Sequence, residues 1–238
     1  MVPIGHRPII WNLMKYYAHY DNKDFILCLG HNSHVIKDYF LNYDECLTND
    51  FVLEGGSAIL KSTDIHDWTI TFADTGLSSN IGMRLKAVEK YLDDLAPEEM
   101  FMANYADGLS DVPMGEMLDF FKKSNKTACF LCVKPAQTFH YVHLNKDGTV
   151  KSIQDTTSNG LTVNGGFFIF KKKIFDYIKD GEELVHEPFE RLIKENQLIA
   201  YQYDGFWKCM DTFKDKQMFD EMYASGSSPW QVWKDDQT

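Results

Sequence analysis

Apolar residues recur along this chain with two periods, and their alternation sets the expected architecture. Over residues 8–20, Ile9, Ile10, Leu13, Met14 and Tyr17 fall at helical spacing. The next apolar run, 25–30, is short and bounded by polar residues, which predicts a buried strand. The same reading gives a helix over 35–43, a strand over 68–72, a helix over 85–92 and a strand over 100–105. A helix over 114–123 and a strand over 129–133 follow. Such alternation implies parallel strands joined by right-handed crossovers, with helices on both faces. In sheets of this kind ligands bind beyond the carboxyl ends of the strands.

After residue 133 the pattern changes. Two strand-like runs, 141–144 and 150–154, flank Asn145-Lys146-Asp147-Gly148 and predict a hairpin. A strand is expected over 166–170, with helices over 172–178 and 188–196, the latter carrying Pro188 in its first turn. Residues 198–203 read as a strand, and 212–224 as a closing helix ended by Gly226. No repeat or linker interrupts the chain. Residues 1–238 are therefore expected to form a single α/β domain with a mixed, mostly parallel sheet and a hairpin-rich second half.

Composition narrows the function classes. With 238 residues, 44% of them apolar and 25% charged, the chain has the make-up of a soluble protein with one sizeable core. No apolar run approaches the roughly 20 residues needed to span a bilayer. The opening residues lack the features of a secretory signal, so the cytoplasm is the expected compartment. A formal charge of −11 argues against a nucleic acid or an anionic membrane as partner. A protein this acidic binds phosphates only with local help from a metal ion, a few placed cations or backbone amides. Cys129 and Cys132 form a C-x-x-C, but the pair lies in a strand-like run where such spacing points to opposite faces. All five cysteines are expected to be reduced core thiols.

Four segments carry candidate chemistry. In the first, an apolar strand runs into Tyr105-Ala106-Asp107-Gly108-Leu109-Ser110-Asp111. A carboxylate at the end of a strand suits magnesium carrying phosphate oxygens, or else caps the next helix. The second is Gly205-Phe206-Trp207-Lys208-Cys209-Met210-Asp211-Thr212, where Asp211 is either a second metal ligand or a helix N-cap. The third, Val163-Asn164-Gly165-Gly166-Phe167-Phe168, allows close backbone approach to a sugar or is a plain tight turn. The fourth, Asp74-Thr75-Gly76 with Gly82-Met83-Arg84, suits an anion or a base edge, or is an ordinary loop.

In order and wording these segments resemble one family. Tyr-x-Asp-Gly-x-Ser-Asp, Asn-Gly-Gly-Phe-Phe and Gly-Phe-Trp-x-x-Met-Asp-Thr-x-x-Asp-Lys are similar to the signature blocks of glucose-1-phosphate cytidylyltransferases. So are the opening around Gly5-His6-Arg7-Pro8 and the tryptophan-rich ending at Pro229-Trp230-Gln231-Val232-Trp233. The resemblance implies a Rossmann-like nucleotidyltransferase fold and a Mg²⁺-dependent transfer. CTP and glucose 1-phosphate give CDP-glucose and pyrophosphate, for nucleotide-sugar and surface polysaccharide (O-antigen) synthesis. Matched block to block, Asp107 and Asp211 fall on the metal-binding aspartates. Ser79, Arg84 and Ala106 fall on nucleotide-contacting positions, with Gly82 beside them, and Asn164 and Gly165 on the sugar-binding turn. The implied partners are CTP and a sugar 1-phosphate; family members are often homo-oligomers.

The sequence departs from the family in three places. Members open with a strand, a Gly-x-Gly-Thr-Arg loop and a Lys-Pro pair before the residue matching Met1. On that reading the sheet is expected to lack its first, central strand, leaving two neighbours unpaired unless the register closes, another segment fills the gap, or the true start lies upstream of Met1. At Gln154-Asp155-Thr156-Thr157 the family has Glu-Lys-Pro; Asp155 replaces the sugar-binding glutamate at shorter reach, and Thr156 cannot replace the lysine. At Gln137-Thr138-Phe139-His140 an Arg-Phe-Gly is expected instead. These residues as they stand are therefore expected to turn over CTP and glucose 1-phosphate well below a family rate. The alternative is a non-catalytic homologue acting as a binding or partner subunit.

Overall fold

The computed structural model describes residues 1–135, 140–155 and 160–237, with backbone alone at Tyr141, Asp155 and 235–237. Two short strands, β1 (Pro3–Ile4) and β2 (Arg7–Pro8), fold back on each other around Gly5. Helix α1 (Ile9–His19) follows at once, its first turn opened by Pro8. Then come β3 (Asp24–Leu29) and α2 (Ser33–Leu41). A hairpin of β4 (Phe51–Glu54) and β5 (Ser57–Leu60) turns on Gly55 and Gly56, both at positive φ, in a region where the sequence reading gave no element. Next are β6 (Thr69–Asp74), α3 (Ile81–Ala87), β7 (Met100–Asn104), β8 (Gly108–Ser110), α4 (Met114–Ser124) and β9 (Ala128–Val133). The second half holds β10 (His140–Leu144), β11 (Val150–Asp155), β12 (Val163–Lys171), α5 (Glu187–Lys194) and β13 (Leu198–Tyr203). Strand β14 (Trp207–Cys209) and helix α6 (Phe213–Ala224) follow.

The main sheet has the order β13-β9-β12-β7. Strand β13 runs parallel to β9, whereas β12 is antiparallel to both β9 and β7, so β7, β9 and β13 share one direction. The expected mixed α/β sheet and the β10–β11 hairpin are both present. The helix expected over 172–178 is a 3₁₀ turn at Lys172–Tyr177.

Strand β12 explains why helices cover both faces. Its side chains alternate, so Phe167 and Ile169 enter one core with α1, α4 and α6, while Phe168 and Phe170 enter a second with α3 and α5. Both cores therefore hang on one strand. Cys129 and Cys132 are buried in β9 as free thiols, and burial pushes the Cys129 thiol up to about 12.

On the far side of β7 the ladder stops. Strand β3 pairs in parallel with β6 as a separate two-stranded sheet, and no ladder joins β3 to β7. The register has not closed across this gap. Strands buried in a two-sided fold should be covered along their length, as β12 is; instead Phe25–Cys28 and all of β7 are only half-buried.

The carboxyl-terminal segment locks the α1 side. Trp230 is fully buried, donates its indole N–H to the Asn12 side-chain oxygen at 3.1 Å, and packs edge-on against Phe219. Trp230→Ala is expected to cost about 3–5 kcal/mol, by cavity formation and an orphaned Asn12. The check is a urea titration in which the midpoint falls at unchanged slope.

Candidate functional site

Three of the four sequence segments meet at one place beyond the ends of the main sheet. Strands β8 and β14 form a short antiparallel ladder in which Gly108 faces Cys209 and Leu109 faces Lys208. The Met210 amide donates to the Asp107 carbonyl at 2.8 Å, which continues the ladder and sets Asp107 and Asp211 beside each other. The glycine pair comes in from β12. The Trp207 indole N–H donates to the Gly165 carbonyl at 2.7 Å, and a Cβ on Gly165 would lie 3.2 Å from that same nitrogen. Gly166 adopts φ +76°, with the Tyr105 ring 2.6 Å from where its Cβ would be. Asn164 is held in the same turn, accepting the Gly166 amide at 2.9 Å. Its side chain also hydrogen-bonds Tyr105.

The structure removes one of the two open readings of both aspartates. Neither caps a helix. After Asp107 the chain enters β8, and α4 begins at Pro113 without a side-chain cap. At α6 the cap is Thr212, which forms a capping box with Asp215, leaving Asp211 outside it. Asp215 also takes up Lys208 at 3.2 Å. Asp211 and Asp107 are both exposed, and among the described residues no lysine or arginine forms an ion pair with either. Surrounding protein displaces enough water to raise the Asp107 carboxyl above the ordinary carboxylate range, and the nearby Asp211 charge raises it further. The Cys209 thiol donates to Asp211 at 3.0 Å and is itself pushed up to about 12, first by burial and then by the surrounding carboxylates.

The fourth segment lies at the ends of β3 and β6. Arg84, on α3, donates to the Thr75 hydroxyl at 2.8 Å, and its guanidinium covers Gly30, where a Cβ would meet it at 2.5 Å. Thr75 in turn donates to the Leu29 carbonyl at 2.9 Å. One arginine thus stands across the carboxyl ends of two parallel strands, where an anion is best received. Ser79 donates to the Thr75 carbonyl, closing the same loop. Ala106 is exposed next to Asp107. Gly82 has a plainer reason to be glycine: a Cβ there would sit 2.3 Å from the Glu182 carbonyl oxygen, so its bare backbone lets α3 pack on that segment.

Sequence reasoning missed Tyr105, Trp207 and Thr75, which orient the residues it named. Trp207 lay in a quoted motif without a role, and a large indole four residues before Asp211 was the available signal.

No family model matches the chain. A Salmonella typhimurium glucose-1-phosphate cytidylyltransferase is 34% identical over 237 residues, covering 98% of this chain and 91% of that protein. The Salmonella typhi enzyme of the same name gives the same identity and coverage. The chain belongs to the glucose-1-phosphate cytidylyltransferase family. A UDP-glucose pyrophosphorylase structure in complex with UDP-glucose shares the fold at TM-score 0.66 and 14% identity, over 95% of this chain and 90% of that one. HddC from Yersinia pseudotuberculosis superposes at TM-score 0.62 with 17% identity, over 94% of this chain and 88% of that one.

The expected Rossmann-like nucleotidyltransferase fold is thereby borne out. Against the cytidylyltransferase pattern, Thr138 and Thr156 lie outside the described residues, and Asp155 closes β11 with only its backbone described. No helix among the described residues is long and apolar enough to cross a membrane.

The raised Asp107 carboxyl has a stability consequence with a definite sign. A carboxyl whose folded pKa exceeds its unfolded one binds more protons in the folded state, so its ionisation weakens folding. That cost is absent below the unfolded pKa and complete once pH exceeds the folded one. Asp107→Asn is therefore expected to raise thermal stability at neutral pH and to leave it unchanged near pH 3. Asp211→Asn is expected to lower the Asp107 titration midpoint, read by carboxyl ¹³C chemical shift. An unchanged midpoint would show that the two carboxylates do not sense each other.

Proposed function

We propose that this chain is a sugar-1-phosphate cytidylyltransferase, joining CTP and glucose 1-phosphate into CDP-glucose with release of pyrophosphate. The observation that carries the reading is the juxtaposition of Asp107 and Asp211 beside the Gly165–Trp207 contact, in a chain whose relatives of that name match it along nearly its whole length. Two neighbouring carboxylates without a cationic partner, one of them with its proton held more tightly than usual, suit a divalent cation, and oxygen donors in this number suit Mg²⁺. Asp107 and Asp211 would hold that ion, which when bound neutralises charge on the phosphate oxygens.

The remaining work belongs to the protein. Transfer of this kind requires no covalent enzyme intermediate: the sugar phosphate oxygen forms a bond to the α-phosphorus as the bond to pyrophosphate breaks. Catalysis then rests on holding the two substrates in line and meeting the developing charge. Arg84 supplies a fixed positive charge at the nucleotide side, near Ser79 and Ala106, while Gly82 keeps α3 seated. Asn164 and Gly165 offer an amide group and a bare backbone to the sugar, and Asp155 lies on the hairpin as a candidate sugar-hydroxyl acceptor. The bulk of Tyr105 and Trp207 holds the sugar turn in place. The proposed setting is a soluble cytoplasmic enzyme of nucleotide-sugar and surface polysaccharide synthesis.

The test is direct detection of CDP-glucose from CTP, glucose 1-phosphate and Mg²⁺, with CTP binding measured alongside by calorimetry. Asp107→Asn and Asp211→Asn are each expected to lower product formation by about 10²–10³-fold, the range seen when one preorganised charge-stabilising group is removed. Mg²⁺-dependent CTP binding should weaken in both variants. CTP binding that ignores both substitutions would overturn the assignment of the site.

A further inference from the structure

Three strands end along one edge of the main sheet. Strands β7, β9 and β13 run the same way, so their carboxyl ends lie there with the amino end of the antiparallel β12. Along that edge stand Asp107 just after β7, Asn164 and Gly165 at the start of β12, Lys134 after β9 and Asp204 after β13. Lys134 therefore places a cation on the edge that carries the candidate sugar turn.

The register fixes which way it faces. Asn164 is the cross-strand partner of Cys132, and such partners share a face. Lys134 follows Cys132 by two residues, so strand alternation puts it on that face too, where Phe130 and Phe168 pack with α3 and α5. Tyr105 lies there as well, its ring edge-on to Phe168 at 5.2 Å. Lys134 and Asn164 are thus diagonal neighbours, about 7–8 Å apart at the backbone and within reach of a long side chain. The helix that carries Arg84 covers this same face.

The partner that Lys134 holds is a weak one. Its Nζ lies 2.8 Å from Asp204 Oδ1, but the two side chains are 61% and 81% exposed. An exposed pair of this kind adds little to stability and exchanges readily. The neighbouring cations are committed elsewhere. Lys208 pairs with Asp215 at 3.2 Å with both side chains largely covered, and Arg84 is bonded to Thr75. A phosphate dianion beside Asn164 draws Lys134 more strongly than one exposed carboxylate does, because it carries the larger charge.

We infer that Lys134 receives the phosphate of the sugar 1-phosphate, exchanging Asp204 for substrate, and so selects sugar phosphates over neutral sugars. The inference rests on the transferase reading, which assigns the sugar to the Asn164–Gly165 turn.

The test is calorimetric binding of glucose 1-phosphate to the 238-residue chain, with Mg²⁺ and with CDP in place of CTP so that no transfer occurs. Lys134→Gln is expected to raise the glucose 1-phosphate Kd about 10–100-fold, as loss of a hydrogen bond to a charged group does, and to leave the CDP Kd unchanged. Asp204→Asn, which frees the ammonium, is expected to tighten glucose 1-phosphate about two- to fivefold. A merely structural lysine would not give that gain. Lys134→Arg should keep the Kd within about threefold of the unsubstituted chain. Each variant should hold its Tm within about 2 °C, because the pair is exposed. Affinity for glucose 1-phosphate that ignores Lys134→Gln, or a loss shared equally by CDP, would overturn this inference and leave the transferase reading standing. An unsubstituted chain that binds neither CDP nor glucose 1-phosphate would overturn both.

Discussion

The hydrogen bond from the Trp207 indole to the Gly165 carbonyl fastens together segments that lie about forty residues apart, and the geometry of the site hangs from it. It works only because the backbone of β12 can come that close, which in turn requires glycine at 165 and a left-handed residue at 166. Tyr105 fills the space over Gly166, and a Cβ on Gly108 would come within 3.7 Å of the same indole nitrogen, an ordinary contact. The junction thus joins two bare backbone positions from the β12 block to one ring from each of the other two blocks. A side chain at Gly165 or Gly166 would press against Trp207 or Tyr105 and loosen this junction.

Asp107 and Asp211 cap no helix because other residues do that local structural work. Thr212 and Asp215 start α6, so Asp211 need not. Asp111 accepts the Tyr203 hydroxyl at 2.6 Å and the Phe206 amide at 2.8 Å, pinning the loop before β14. Within a dozen residues the sequence carries carboxylates of both kinds, satisfied and unsatisfied.

Much of this was legible beforehand, for identifiable reasons. Helix α1, strand β9 and strand β12 follow from apolar spacing because they are largely buried and the pattern is clean. The pairing of Asp107 with Asp211 rested on resemblance, since nothing in local spacing says that residues a hundred positions apart share a ladder. The β4–β5 hairpin escaped notice because its apolar residues, among them Leu53 and Ile59, are exposed and follow no core-facing period. Asp211 read more simply as a helix cap, and only the Thr212–Asp215 pair in three dimensions removes that reading. Strands β8 and β14 are three residues each, too short for any periodicity to register.

The division of the sheets also bears on how the molecule comes apart. Residues 100–203 supply the four-stranded sheet, whereas β3 and β6 pair with each other and α2 beside them has no buried residue. Local opening draws its free energy from the contacts it breaks, and here few are broken. The segment from β3 to β6, which no ladder joins to the main sheet, is therefore expected to open at a lower free energy than the sheet around β12 and to be cut by proteases before it.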